Sequence, residues 1–265
     1  MSAAEDLFRA GQLSACLAEL QAEIRSRPED AKLRVFLAQL LMITGDWERA
    51  LNQLSVIGEL DAGALPMKHT YTAAIQCERL RAGVFRGERS PLILGEPPQW
   101  IASLVQGLAL QGEGRTAEAA AMRAQALESA PPTPGTINGS AFEWIADADS
   151  RLGPVLEVLL NAAYYWVPFD RIRRVEFEKP ADARDLIWLP AQFTWSNGGE
   201  AMGLVPVRYP GSEADVDDAV RLSRKTRWEE LAADTYAGLG QRVLATSAEE
   251  LGILEVREVK LDGVG

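Results

Sequence analysis

The 265-residue sequence predicts an α+β protein in which stacked helices come first and a β-rich region follows. Three observations predict it. Up to about residue 130, apolar residues recur at the three- and four-residue spacing of helices with one buried face. The run Ala130-Pro-Pro-Thr-Pro-Gly135 then stops the helices and reads as a linker. Beyond residue 140 the apolar runs shorten to strand length, and five of the seven tryptophans and four of the five tyrosines collect there. Two regions with different cores follow, with the boundary placed between residues 1–134 and 135–265.

In the first region, residues 3–60 read as two helix pairs. Leu7, Phe8, Leu13, Leu17, Leu20 and Ile24 fall at helical spacing, and Gly11 breaks the first pair. Pro28-Glu-Asp30 opens the second. Leu33, Phe36, Leu37, Leu40 and Leu41 form its first stripe, and Gly45 ends it. Asp46 is placed to N-cap the next helix, whose inner face is Trp47, Ala50, Leu51 and Leu54. Gly11 and Gly45 stand 34 residues apart, the period of a tetratricopeptide repeat, and PEDAKLRVFLAQLLMITGDWERALNQL reads as one such repeat. The expectation for residues 1–134 is therefore a TPR-like α-α superhelix. Residues 64–86 predict a further helix. GERSPLILGEPPQW predicts a loop, because Pro91, Pro97 and Pro98 exclude helix. Residues 99–112 and 115–129 predict a last pair with Ala117, Ala120, Ala121 and Ala124 as small packing residues. Such repeats leave a concave surface that commonly holds a partner's helix or peptide, or else they only support the second region.

In the second region the strand candidates are Phe142–Ile145, Val155–Leu160, Tyr164–Val167, Ile172–Phe177, Leu186–Phe193 and Ala201–Val207. Val155–Leu160 also fits a helix, since Leu156, Leu159 and Leu160 share its spacing. Residues 161–163 and Asn197-Gly-Gly199 are turn material. A helix is expected over Glu213–Leu222 and again over Trp228–Tyr236, followed by two final strands at Gly240–Thr246 and Ile253–Lys260.

Composition excludes several functions. The net charge is −11, most of it beyond residue 130, and no basic stripe interleaves with aromatics. Nucleic acid and anionic membranes are thus disfavoured partners. No apolar run approaches the roughly 20 residues of a membrane span. No basic segment leads into an apolar one at the N-terminus, which predicts a cytoplasmic protein. Cys16 and Cys77 sit among apolar neighbours and are expected as buried free thiols.

Candidate chemistry is sparse. Asp147-Ala-Asp149 has the spacing of a D-x-D metal motif, but two carboxylates fill only part of a coordination sphere. Arg151 stands two residues on, so an ion pair or turn is preferred to a metal or partner contact; a metal-dependent hydrolase using Asp147 and Asp149 is the alternative function. His69 is the only histidine, and no nucleophile motif lies near it. Asn197-Gly-Gly-Glu200 is too short for a phosphate loop. Glu213, Asp215, Asp217 and Asp218 suit a helix start. Trp188, Phe193 and Trp195 are expected in the core rather than on a ligand. No catalytic set, metal site or cofactor motif emerges.

The blocks FEWIADADSRLGPVLEVLL, YYWVPFDRI, ARDLIWLPAQFTW and VRYPGSE resemble the ImpE/SciE/TagJ family, accessory proteins of bacterial type VI secretion. The likeness extends to RSPLILGEPPQWIASL and the alanine-rich last helical pair. One departure is Asn161-Ala-Ala163, where a glycine turn is expected. The resemblance implies a cytoplasmic, non-enzymatic adaptor. It implies that the protein binds the N-terminal helix of the small contractile-sheath subunit, and it links the protein to the AAA+ ATPase that recycles the sheath. It carries over no catalytic residue and names no partner-binding residue.

Overall fold

The computed structural model describes residues 2–262, which fold as a mixed α+β protein. The helical pairs form where the apolar spacing places them: α1 (Ala3–Arg9) with α2 (Leu13–Ser26), and α3 (Ala31–Ile43) with α4 (Trp47–Leu60). Gly11 and Gly45 take φ of +74° and +72°, the left-handed conformation that ends a helix and that glycine adopts without strain. The Asp46 carboxylate accepts from the Arg49 backbone N–H at 3.4 Å and caps α4. Helix α5 (Leu65–Phe85) follows. Residues 87–100 are expected as loop, but their last two begin the next helix and the rest hold a short strand, β1 (Leu92–Ile93), parallel to Tyr165–Trp166. Its partner lies far downstream, so no local pattern marks it. The last pair is α6 (Gln99–Gly112) and α7 (Thr116–Ser129).

The chain then turns to strands: β2 (Gly135–Ile137), β3 (Ser140–Phe142), β4 (Ile145–Asp147), β5 (Val155–Leu160), β6 (Ala163–Pro168), β7 (Ile172–Phe177), β8 (Trp188–Trp195) and β9 (Glu200–Pro206). The ambiguous Val155–Leu160 is a strand, hairpinned to β6. Its turn places Asn161 at φ 48° and Ala162 at φ 62°. Asparagine tolerates that region; alanine does so at a cost. Gly198, at φ +83°, turns β8 into β9.

Three expectations fail after residue 212. Glu213–Leu222 is not one helix: a 3-10 turn (Ser212–Ala214) precedes the single-turn α8 (Asp218–Arg221). Trp228–Tyr236 is not helical at all. It lies in a hairpin of β10 (Thr226–Ala232) and β11 (Thr235–Gly240), which reverses at Asp234 with φ 57°. Glu, Leu and Ala there favour helix in isolation, but distant contacts override them. Gly238 lies against the Tyr209 ring, where a Cβ would come within 2.2 Å, and its N–H donates to Asp149 at 2.9 Å. The final strands are β12 (Val243–Thr246), β13 (Glu250–Gly252) and β14 (Glu258–Leu261), so Ile253–Lys260 divides into a 3-10 turn and a strand.

Among the described residues, nine strands form one mixed sheet in the order β1-β6-β5-β9-β8-β7-β14-β2-β3, and β13-β12-β4 form a second. Side chains alternate across the large sheet. One face carries Val155, Leu159, Tyr164, Trp166 and Trp188 into a core shared with α1–α6. The other sends Leu156, Val158, Leu160, Val167 and Phe193 into a core shared with Leu244 and Ile253. Trp188 packs between Trp47 and Tyr71, with ring centroids 6.2 and 5.9 Å away. As expected, Trp188 and Phe193 are fully buried; Trp195 stacks on Phe193 at 4.8 Å but is only half-buried. Cys16 and Cys77 are buried free thiols, and burial pushes both up to about 11.

Side chains from the C-terminal region close helix ends in the N-terminal one. The Asp218 carboxylate accepts from the Leu13 N–H at 3.0 Å, at the start of α2. Arg208 donates to the Ile43 carbonyl at 2.7 Å, at the end of α3, and Arg224 to the Arg9 carbonyl at 2.9 Å, at the end of α1. Each charge has the sign that the helix dipole favours at that end.

Candidate functional site

The densest group of ionisable side chains lies inside the protein, where the helices meet the sheet. It centres on Glu157, the single charge in the apolar strand VLEVLL. Strand alternation turns Glu157 toward the helices, and it is fully buried. Arg81, on α5, grips it with both prongs, Nε at 2.7 Å and Nη2 at 2.8 Å. Arg242 also donates to this carboxylate, as does the Tyr164 hydroxyl, which in turn accepts from the Trp166 indole N–H at 2.7 Å. Arg81 further donates to the Arg208 carbonyl at 2.8 Å and to Glu78 at 3.2 Å, and Glu78 accepts from the Trp188 indole at 2.9 Å. One fork–fork ion pair thus joins α5 to β5 and draws in both buried tryptophans of the sheet.

Arg242 continues the chain of contacts to Asp147, at the end of β4. Asp147 also accepts from the Tyr209 hydroxyl and from the Asp149 N–H, both at 2.9 Å. Asp149 accepts from Arg151 through its backbone N–H at 2.9 Å and its Nη2 at 2.6 Å, and from Gly238. The Arg151 guanidinium lies over the Phe85 ring at 4.8 Å. The D-x-D pair is therefore brought together, and the expected ion pair with Arg151 is present. Both carboxylates face guanidiniums, a hydroxyl and backbone N–H groups. Among the described residues, no group of three or more His, Cys, Asp or Glu side chains is placed to hold a metal ion.

The two ends of the network differ electrostatically. Burial alone would raise the Glu157 carboxyl, but Arg81 and Arg242 outweigh it and hold the group at about 2. Asp147 shares Arg242 with Glu157 and has Asp149 beside it, so burial prevails and lifts it to about 6. Arg208, buried without a carboxylate partner and bonded to carbonyls, is lowered to about 10 by burial.

Other sequence candidates stand apart. His69 is exposed on α5 and lines a cleft with Cys77 and Met202. The acidic run divides its tasks: Asp215 pairs with Arg227, Asp217 caps α8 through the Ala219 N–H at 2.9 Å, and Asp218 caps α2. Arg81, Glu157, Arg208 and Arg242 escaped the sequence reading. A lone charge amid five aliphatic residues, as at Glu157, was the available signal, because such a position is buried and needs a partner. Large apolar side chains also reach the surface, Trp144 at 40% exposure among them. Among the described residues no helix is long and apolar enough to cross a membrane.

Residues 139–260 match the family model described as ImpE protein. Over 259 residues the chain is 49% identical to the type VI secretion system accessory component TagJ of Pseudomonas aeruginosa strain PAO1, covering 98% of this chain and 91% of that protein. The fold also matches the crystal structure of protein VPA1032 from Vibrio parahaemolyticus, with a TM-score of 0.90, 27% identity and 98% of both chains covered. With half of its residues shared along nearly its whole length, the chain belongs to the ImpE/TagJ family of type VI secretion accessory components.

Proposed function

We propose that this protein is a type VI secretion adaptor that captures the N-terminal helix of the small contractile-sheath subunit and helps link the sheath to the AAA+ ATPase that recycles it. The observation that carries this reading is the 49% identity, over 98% of the chain, with a TagJ accessory component. The interior chemistry supports a binding role. The buried carboxylates are matched to guanidiniums of the same chain and hold helices against sheet, so their chemistry is spent on architecture.

On this reading the protein is a cytoplasmic, non-enzymatic adaptor, with a TPR-like helical region over residues 1–134 and an ImpE-type β-rich region over 135–265. It handles protein partners rather than nucleic acid or membrane. Recognition buries apolar anchors at i, i+3 and i+4 of the partner helix, and the acidic surface selects a basic flank. Calorimetry of the full chain with the N-terminal peptide of the small sheath subunit tests this. The expected affinity is micromolar, about −8 kcal/mol. No heat, together with no competition between that peptide and intact sheath subunit, would overturn the reading. A pulldown of the ATPase with and without sheath subunits tests the second partner.

A further inference from the structure

We infer that the cleft between the end of α7 and strand β4 is the docking surface, and that it takes an amphipathic helix with an apolar stripe flanked by Lys and Arg. This rests on the adaptor reading above and gives it a location.

Shape is the first ground. The cleft encloses about 440 Å³. Leu127, Pro131 and Pro132 form one wall, and Trp144 and Ala245 line it from the strand side. The proline walls are stiff and have no N–H to satisfy. Trp144 is 40% exposed, a large apolar ring left at the surface. The floor is fixed in advance, because the Asp147 carboxylate of β4 is tied to Arg242 and Tyr209. A rigid floor lowers the ordering cost of binding. A helix is roughly 10 Å across with its side chains, so it lies along the mouth and sends its anchors inward.

Charge is the second ground and selects the occupant. None of the residues lining the cleft is Lys or Arg, and Arg151, which lies between the lining residues Ser150 and Gly153, is buried and paired with Asp149. Glu250 is exposed and lines the cleft, and Glu128, Glu143 and Glu249 are exposed next in sequence to the lining residues Leu127, Trp144 and Glu250. The guanidiniums that touch Asp147 and Asp149, those of Arg242 and Arg151, are buried and already paired. An approaching partner thus meets carboxylates around an apolar slot, which favours a basic rim.

The alternatives lack one ground or the other. The inner face of the helical pairs is occupied by the protein itself, with Trp188 between Trp47 and Tyr71 and Arg184 over the Tyr71 ring at 4.8 Å. The cleft of about 530 Å³ beside α1–α3 mixes Arg27 and Lys32 with Glu23 and Asp30, so it selects no sign of charge. The cleft of about 410 Å³ between α5 and β9 is lined by no carboxylate.

The test uses the full chain and a fluorescein-labelled peptide of the small sheath subunit's N-terminal helix, read by anisotropy. Circular dichroism confirms that each variant is folded. Trp144→Ala should weaken binding about tenfold, as loss of an aromatic anchor does. Glu249→Lys with Glu250→Lys, which leaves the apolar wall intact, should weaken it about fivefold or more and flatten its salt dependence. Met202→Glu, in the α5–β9 cleft, should bind as the unaltered chain does. If the unaltered chain binds and both cleft variants bind equally well, the location is wrong while the adaptor reading stands. Binding lost in Met202→Glu instead would move the site to the α5–β9 cleft. A peptide interrupted by a central proline that binds undiminished would overturn the helical occupant. If the unaltered chain does not bind the peptide at all, the adaptor reading fails first and the location falls with it.

Discussion

On strand β5 the side chains alternate between two environments. Leu156, Val158 and Leu160 enter a core of aliphatic and aromatic carbon. Val155, Glu157 and Leu159 turn to the helices, where Glu157 meets two guanidiniums and a phenol. Both faces exclude water. The apolar face gains from burial, which has no direction and tolerates rearrangement of similar volumes. The ionic face satisfies its charges in one geometry only. Buried ion pairs add little net stability compared with apolar replacements, yet losing one partner is costly. The contrast therefore separates two tasks: the carbon face holds the sheet together, and the charged face fixes where the helices sit on it.

Glu157→Gln should have the largest effect, because it leaves Arg81 and Arg242 facing a neutral amide. We expect a loss of about 4 kcal/mol in urea denaturation, with faster amide exchange in α5. A loss below about 1 kcal/mol would break the contrast, since the network would then carry no positional constraint. Leu156→Ala, one residue away on the carbon face, should cost about 3 kcal/mol through its cavity. It should leave exchange in α5 close to the unaltered rate. Arg208→Met removes the cation at the end of α3 and should cost about 2 kcal/mol. Asp218→Ala, which uncaps α2, should cost about 1 kcal/mol.

The smallest effect, and the sharpest in sign, is on pH. The Glu157 carboxyl sits at about 2 against an ordinary 4.5. Its contribution is complete above pH 4.5 and is lost as pH falls toward 2. Asp147 sits at about 6 against 3.8, so the fold holds a proton that the unfolded chain releases. Its contribution runs the other way and declines as pH rises from 3.8 to 6. Denaturation across this range should therefore show a more positive slope of stability with pH in Asp147→Asn than in the unaltered chain. Equal slopes would place the Asp147 titration elsewhere.

The helical pairs were legible because their signals are local. Gly11, Gly45 and Asp46 each act within one turn of their own position. The D-x-D ion pair was legible for the same reason, since Asp149 and Arg151 are two residues apart. What escaped depends on distant partners. Strand β1 exists through its pairing with Tyr165–Trp166, and the β10–β11 hairpin through the fit of Gly238 against Tyr209. β10 is largely exposed, so it lacks the apolar–polar alternation that marks a half-buried strand. The charge network belongs to this second kind. Arg81 and Glu157 are 76 residues apart, and Glu157 and Arg242 are 85 apart, so only the fold assembles them.

The carboxylate that closes the start of α2 arrives 205 residues after the amide it binds. Ribosomes extend a chain at roughly 5–20 residues per second, so α2 waits on the order of 10–40 s for it. For most of that interval α2 lacks this cap and α1 and α3 lack the arginines that close their C-terminal ends, while Ser2, Asp30 and Asp46 already cap the starts of α1, α3 and α4. A product arrested before residue 208 lacks all three of these closures and should be cleared by proteases rather than accumulate.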